Sequence, residues 1–279
     1  RRCNHGGSRA GDRAQHCGGR GQTRGAQEGR GHQSAGQEDS GEAGHSPEGP
    51  QRHSGRVKYR HAFHAGNFAD VHKHVVLLAL LEALQRKDKG FLYVDTHAGD
   101  GLYDLRGADA RQGAHESADG IEKLRTAAAG SPPALVAHYL ECVAAARRMS
   151  GIRHAYPGSP WLAAQLLRPQ DRAVCCESRT EAFVALRRAL RDAARVSCEN
   201  LDGYERLPAL LPPVERRGLV LIDPPYEDGR DDRRRIGQAL EAALRRFATG
   251  VYAVWYPIKH DADTNRWLDA LRARLAQPW

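Results

Sequence analysis

From Arg1 to Arg56 the chain contains no Val, Ile, Leu, Met, Phe, Trp or Tyr, and 14 of its 29 glycines fall in that stretch. With almost nothing to bury, such a segment cannot offset the entropy lost on ordering its backbone. It is expected to be a disordered, low-complexity tail, so any packed core must come from Val57 to Trp279. An arginine-glycine segment that binds RNA is the functional alternative. The missing RGG spacing and the interrupting glutamates disfavour it.

From Val57 on, Leu, Ala and Val are abundant and the length suits one sizeable core. No apolar run approaches the roughly 18 residues that cross a bilayer, and no signal-peptide-like stretch opens the chain. A soluble, cytoplasmic, monomeric protein without membrane contact is expected. The six cysteines form no CxxC pair and read as reduced structural thiols. A net charge of +8 suits a polyanionic partner.

After the turn-like Ala65-Gly66-Asn67, apolar residues Val71, Val75, Leu78, Leu81 and Leu84 recur at spacings of three and four, which predicts a helix over Ala69 to Arg86. Phe91 to Asp95 then reads as a strand, followed by a glycine loop, Thr96-His97-Ala98-Gly99-Asp100-Gly101, and a helix start. Helical spacing from about Ala108 to Met149, broken at Ser131-Pro132-Pro133, predicts an inserted helical subdomain. Strand and helix signals alternate beyond it. Strands are expected at Arg172 to Glu177, Val196 to Cys198, Gly218 to Asp223 and Val251 to Tyr256, with helices at Glu181 to Ala194, Gly203 to Leu211, Arg234 to Phe247 and Thr264 to Leu275. Such alternation implies an α/β fold, a mostly parallel sheet covered by helices.

The sharpest motif is Gly218-Leu219-Val220-Leu221-Ile222-Asp223-Pro224-Pro225-Tyr226. A buried parallel strand presents the residue after its carboxyl end to the ligand crevice, and here that residue is Asp223. The two prolines stiffen the backbone and remove donors while keeping carbonyls as acceptors; Tyr226 offers a flat ring for a base. The exocyclic N6 of adenine is a poor nucleophile, because its lone pair is delocalised into the ring. Acceptors such as Asp223 and the Pro224 carbonyl, drawing on its two hydrogens, suit its methylation. A simple turn is the plainer reading of Asp-Pro-Pro, and the preceding apolar strand argues against it.

Asp95 to Gly101 offers small residues that let a backbone approach a ligand, although two glycines make a weak pattern on their own. It lacks the G-x-G-x-x-G dinucleotide fingerprint, and the next strand-end acid, Glu177, lies 82 residues beyond Asp95. Glu177 is placed to accept both ribose hydroxyls of a nucleoside; a surface acid ending a strand is the alternative. Asp202-Gly203 reads either as an adenine-reading pair or as a helix cap. No metal site is expected from His61, His64, His72 and His74, since no acid or cysteine completes a ligand set. Arg60, Lys73 and Arg86 are expected as solvated charges, with contact to an RNA backbone as the alternative.

Beyond these individual motifs, Tyr59 to about Gln277 resembles the bacterial 23S ribosomal RNA adenine-N6 methyltransferase family. The likeness is carried by Tyr59-Arg-His-Ala-Phe-His-Ala-Gly-Asn-Phe-Ala-Asp-Val-His-Lys-His74, Phe91-Leu-Tyr-Val-Asp-Thr-His-Ala-Gly99, Tyr156-Pro-Gly-Ser-Pro160, Leu219 to Tyr226, and Phe247-Ala-Thr-Gly-Val-Tyr-Ala-Val-Trp-Tyr-Pro257. The resemblance implies a Rossmann-like methyltransferase fold with a helical insertion at about 106–152, S-adenosylmethionine as cofactor and 23S ribosomal RNA as partner. By position it implies cofactor contacts at His74, His97, Ser159, Glu177, Asp202, Gly203 and Asp223. Catalysis falls to Asp223 with Pro224 and Tyr226, and substrate contact to Tyr59 and Tyr226. The tail before Val57 has no counterpart in the family. The chain ends at Trp279, ahead of the antiparallel hairpin that the resemblance implies, so Val251 to Tyr256 is expected at a sheet edge. Two other readings share these features: a DNA adenine methyltransferase, and an RNA-binding protein without catalysis.

Overall fold

The computed structural model describes residues 63–107, 114–227, 229–258 and 260–276. The expected tail, Tyr59, Arg60 and His61 lie outside them. The first helix, α1 (Phe68–Gln85), opens where Asn67 accepts the Asp70 N–H at 2.8 Å, a side-chain cap for one of the donors that a helix start leaves unpaired. Leu77, Leu78 and Leu81 are buried along it. Its far end is held by Arg168, whose Nη1 donates to the carbonyls of Gln85 and Lys87, and by Arg217, whose Nη2 donates to Leu84 O at 2.6 Å. Both ends of α1 are thereby tied to the rest of the domain.

Five strands form the main sheet: β1 (Leu92–Asp95), β4 (Arg172–Cys176), β5 (Val196–Glu199), β6 (Gly218–Ile222) and β7 (Val251–Val254), in the order β5-β4-β1-β6-β7 and parallel throughout. Alternate residues serve opposite faces, as the pleat requires. Tyr93, Ala173, Cys175, Leu219 and Leu221 enter the core beneath α1. Leu92, Val94, Val174, Cys176, Val220 and Ile222 enter a second core on the opposite face. Strands buried on both sides read as continuous apolar runs, which explains the sequence signal at β4 and β6. The second face is covered by α7 (Gly203–Leu210), α8 (Gly229–Arg246) and α9 (Asp261–Leu275). The expected helices thus form, among them α6 (Thr180–Ala189), which ends before the expected Ala194, and α8 starts earlier than the apolar spacing alone indicates.

The chain winds outward from β1 to β4 and β5 on one side, then returns to β6 and β7 on the other, so the topological switch lies between β1 and β6. Ligand crevices in open parallel sheets open there, beyond the carboxyl ends of the strands. Asp95 pairs in register with Leu221, which carries Asp223 two residues past the β1 end. Among the described residues β7 has a neighbour on one side only and ends the sheet, the edge position expected for it.

One expectation needs correction. No helix follows the glycine loop. Leu102–Asp104 forms a short strand, β2, antiparallel to β3 (Ala155–Pro157). Tyr103 gains a buried place there, 4% exposed, and its hydroxyl accepts the Asp100 N–H at 3.0 Å. This pair closes the root of the insertion, which contains α2 (Ala114–Ser117), a π-helical turn at Ala118–Glu122, α3 (Lys123–Ala127) and α4 (Ala134–Ser150). The break before α4 falls at Pro133, as the proline pair predicts. A short helix that the periodicity did not predict, α5 (Ser159–Leu166), starts after Gly158.

Gly203 is where close backbone approach decides the residue type. A Cβ there would lie 2.1 Å from Thr96 O, within the loop after β1. Gly203→Ala is expected to cost about 2 kcal/mol of stability, whereas Gly130→Ala, with nothing within 4 Å, should stay within about 0.5 kcal/mol of the parent. Thermal unfolding of the two variants checks the pair.

Candidate active site

An acid stands at or just beyond the carboxyl end of four neighbouring strands: Asp95 on β1, Glu177 after β4, Asp202 after β5 and Asp223 after β6. Asp223 is gripped from α1. Lys73 Nζ lies 2.5 Å from Asp223 Oδ2 and 2.8 Å from Asp70 Oδ1, and the Lys73 and Asp70 side chains are only 4% and 3% exposed. This overturns the expectation of a solvated Lys73, while Arg86 is exposed as expected. Burial opposes the ammonium charge, but the carboxylates of Asp223 and Asp70 outweigh it and raise the Lys73 pKa above its ordinary value. Asp70 also accepts the Gly66 N–H at 3.1 Å, which ties the pair to the turn before α1.

Asp95 is completely buried. The hydroxyls of Ser159 and Tyr93 donate to its Oδ2 at 2.7 and 2.8 Å. Burial pushes its carboxyl pKa up, the two hydroxyls work against that, and the Asp223 charge adds to the rise. Glu177 shapes the glycine loop: its Oε2 accepts the Gly99 N–H at 2.9 Å and its Oε1 the Arg179 N–H at 2.8 Å. Gly99 has φ of 61°, and a Cβ there would meet Tyr103 Oη at 2.2 Å, so the loop admits only glycine at that point.

His97 Nδ1 lies 2.8 Å from Thr96 Oγ1, which is itself 3.0 Å from Leu221 O. Burial lowers the pKa of His97 to about 4, against the pull of Asp223 and Asp202, so the ring is neutral at physiological pH. Tyr204 meets it edge to face at 4.7 Å.

One cavity is lined by Lys73, His97, Gly99, Ser159, Glu177 and Asp223. It therefore unites four of the expected cofactor contacts, His97, Ser159, Glu177 and Asp223, the last also the expected catalytic acid. The others stand outside its wall. His74 is fully enclosed, with Nδ1 2.9 Å from the Tyr156 hydroxyl. Asp202 caps α7 by accepting the Tyr204 N–H at 2.9 Å, and it pairs with Arg235. Its partial burial disfavours the charge, yet Arg235 and the capping N–H groups hold its carboxyl below the ordinary range. Pro224 is buried behind Asp223. Tyr226 lines an adjoining groove between α8 and α9, its hydroxyl donating to Trp255 O at 2.7 Å. Its φ of 54° is a left-handed conformation rare for an aromatic residue, of the kind that concentrates at functional sites. Glu227 lines both concavities.

The helix α1 held an unread signal. It is apolar nearly all round over Leu77 to Leu81, and a helix of that kind is buried, so Asp70 and Lys73 upon it required partners. The described histidines of the same region serve neighbours. His64 lies 2.8 Å from Glu116, and His72 meets the Trp255 ring edge-on at 5.4 Å. Among the described residues no group of three His, Cys, Asp or Glu is placed to hold a metal, and no helix is long and apolar enough to cross a membrane.

Comparison with known proteins gives a consistent result. Residues 88–277 match the family described as Ribosomal RNA large subunit methyltransferase D, RlmJ. Proteins named Ribosomal RNA large subunit methyltransferase J from Haemophilus influenzae and Escherichia coli K12 are 42% and 41% identical over 217 residues, which cover 78% of this chain and 76% of each relative. The crystal structure of a Legionella pneumophila protein aligns with a TM-score of 0.67 at 37% identity, covering 75% of this chain and 76% of that one.

Removing the Lys73 charge leaves two carboxylates facing one another, and Lys73→Met is expected to cost about 3 kcal/mol in urea unfolding. Because the folded pKa of Lys73 is raised, its stabilisation is fully present below about 10.5 and is lost only as pH rises through the folded value. His97 has the opposite sign. Its folded pKa is depressed, so the unfolded chain binds more protons between pH 6.5 and about 4, and wild-type stability falls on acidification through that window. The His97→Asn variant should show a shallower decline in melting temperature over the same range.

Proposed function

The chain belongs to the family described as Ribosomal RNA large subunit methyltransferase D, RlmJ, and from that premise we propose that it methylates the N6 amine of an adenine in 23S ribosomal RNA, using S-adenosylmethionine. It is an enzyme of ribosomal RNA methylation. The observation that carries the finer reading is Asp223, held by Lys73 at the mouth of the switch-point crevice and in one cavity with Glu177 and the Gly99 loop.

S-adenosylmethionine supplies a methyl group on a sulfonium, in a molecule that also carries an ammonium. The acidic strand ends suit that charge: Glu177 and Asp223 line the cavity together with the neutral His97. Glu177 is the acceptor for the ribose hydroxyls, in the strand-end position where nucleoside-binding sheets keep such an acid. Ser159 is a bridge, since its hydroxyl already donates to buried Asp95 and its oxygen keeps lone pairs for the ligand. Gly203 and Asp202 support the same wall from behind, Gly203 through its contact with Thr96 and Asp202 through its field at His97. His74 is a positioning residue, acting through Tyr156.

At the reacting end, Lys73 occupies Asp223 Oδ2 and leaves Oδ1 as the acceptor for one N6 hydrogen; the Pro224 carbonyl takes the other. Two acceptors in fixed positions turn the amine's lone pair toward the methyl group and favour the positive charge that develops on nitrogen. An adenine reaches this point only when unstacked, so the substrate is single-stranded or flipped out, with Tyr226 against the base. Tyr59, the other substrate contact that the family likeness implies, lies outside the described residues.

Asp223→Ala is expected to reduce methyl transfer to protein-free 23S ribosomal RNA by a factor of at least about 1,000, while calorimetry still detects binding of S-adenosylmethionine. Transfer at the wild-type rate would refute the role of Asp223. Methylation of duplex DNA in preference to the RNA would refute the substrate.

A further inference from the structure

The groove beside Tyr226 runs between α8 and α9 and shares Glu227 with the Glu177 cavity. Its walls carry four arginines, Arg230, Arg233, Arg234 and Arg274, against two acids, Glu227 and Asp263. Arg234 is engaged by Asp231, and Arg274 by Glu241. The Arg233 guanidinium lies 5.3 Å over the Trp267 ring, which also meets Tyr256 edge-on at 5.2 Å. Position along α8 decides where each arginine goes. Arg230, Arg233, Arg234 and Gly237 follow helical spacing on the groove side, whereas Arg235 faces the other way, to Asp202 and the Tyr204 ring.

An aromatic ring flanked by guanidinium groups is the surface that single-stranded nucleic acid uses, with bases stacking on the ring and phosphates meeting the cations. Continuity settles the direction: Tyr226 and Glu227 belong to the groove, and Glu227 also lines the cavity that holds Asp223. We propose that this groove is the track for the RNA strand next to the target adenine, with Arg230 and Arg233 on its phosphates and Trp267 beneath a neighbouring base. The proposal rests on the reading of the site as an adenine methyltransferase and adds to it the surface that holds the substrate. Base stacking on Trp267 without donors aimed at base edges makes the groove tolerant of sequence, so it supplies affinity and register while the Asp223 end supplies the choice of adenine.

The test uses the full chain, a fluorescein-labelled single-stranded RNA containing adenines, and protein-free 23S ribosomal RNA as methyl acceptor. Arg230→Ala/Arg233→Ala should weaken binding of the labelled RNA about tenfold or more and reduce the slope of log K against log salt by about 1.4, at about 0.7 for each phosphate no longer neutralised. The KM for ribosomal RNA should rise in parallel, with S-adenosylmethionine binding unchanged. Arg230→Lys/Arg233→Lys should restore most of the binding. Arg245→Ala/Arg272→Ala removes the same charge from outside the groove and should leave affinity within about twofold. Trp267→Leu should cost about tenfold with no change in salt slope.

Unchanged affinity and slope in the Arg230/Arg233 variant, or an equal loss in the Arg245/Arg272 control, would overturn the proposal. The two readings separate cleanly. A wild-type chain that binds RNA through the groove but transfers no methyl overturns the enzymatic reading and leaves the groove standing. Methyl transfer by the groove variant with wild-type KM does the reverse.

Discussion

The contact between Lys73 and Asp223 joins residues 150 positions apart, and the placement of the strand-end carboxylate depends on it. A carboxylate at the end of a parallel strand is exposed to a crevice by topology alone, yet its direction is left to side-chain rotamers. Lys73 removes that freedom. It can do so because α1 is anchored at both ends, by Asn67 at the start and by Arg168 and Arg217 at the finish. Asp70 shares the ammonium, so the lysine is held by two carboxylates and cannot swing out with one of them. Charge buried this deeply is unfavourable unless each member has a partner, and the three groups meet that condition together.

The same logic extends along the strand ends. Glu177 accepts one backbone N–H on each oxygen, so the loop from Gly99 and the turn at Arg179 are drawn to one carboxylate that keeps further lone pairs. Asp95, buried behind them, positions Ser159. His97 is fixed by Thr96, which is itself fixed by Leu221 of β6. Each polar group in the crevice is thereby placed by a neighbour from a different element, and the arrangement is set before any ligand arrives.

Much of this could be read from the residues. Strands β4 and β6 announce themselves because both faces are buried, and the acids that end them stand out against the apolar run. The Asp-Pro-Pro-Tyr turn is specific enough to suggest amine chemistry. Lys73 and Asp70 escaped because periodicity counts apolar positions and treats charges between them as solvent-facing, whereas the pairing that buries them spans distant segments. The strand β2 escaped because its three residues gain their identity only from pairing with Ala155–Pro157, some fifty positions away. His97 and Ser159 came from the likeness to a family; no local spacing distinguishes either from an ordinary loop residue. His74, from the same likeness, sits a layer deeper than a contact residue would.

The backbone at Tyr226 has a wider consequence. A left-handed residue follows the two prolines, so that Pro225 lines the cavity of Asp223, Tyr226 lines the arginine-bearing groove, and Glu227 belongs to both. The turn is therefore a wall common to both concavities, and a change in its backbone is felt on both sides at once.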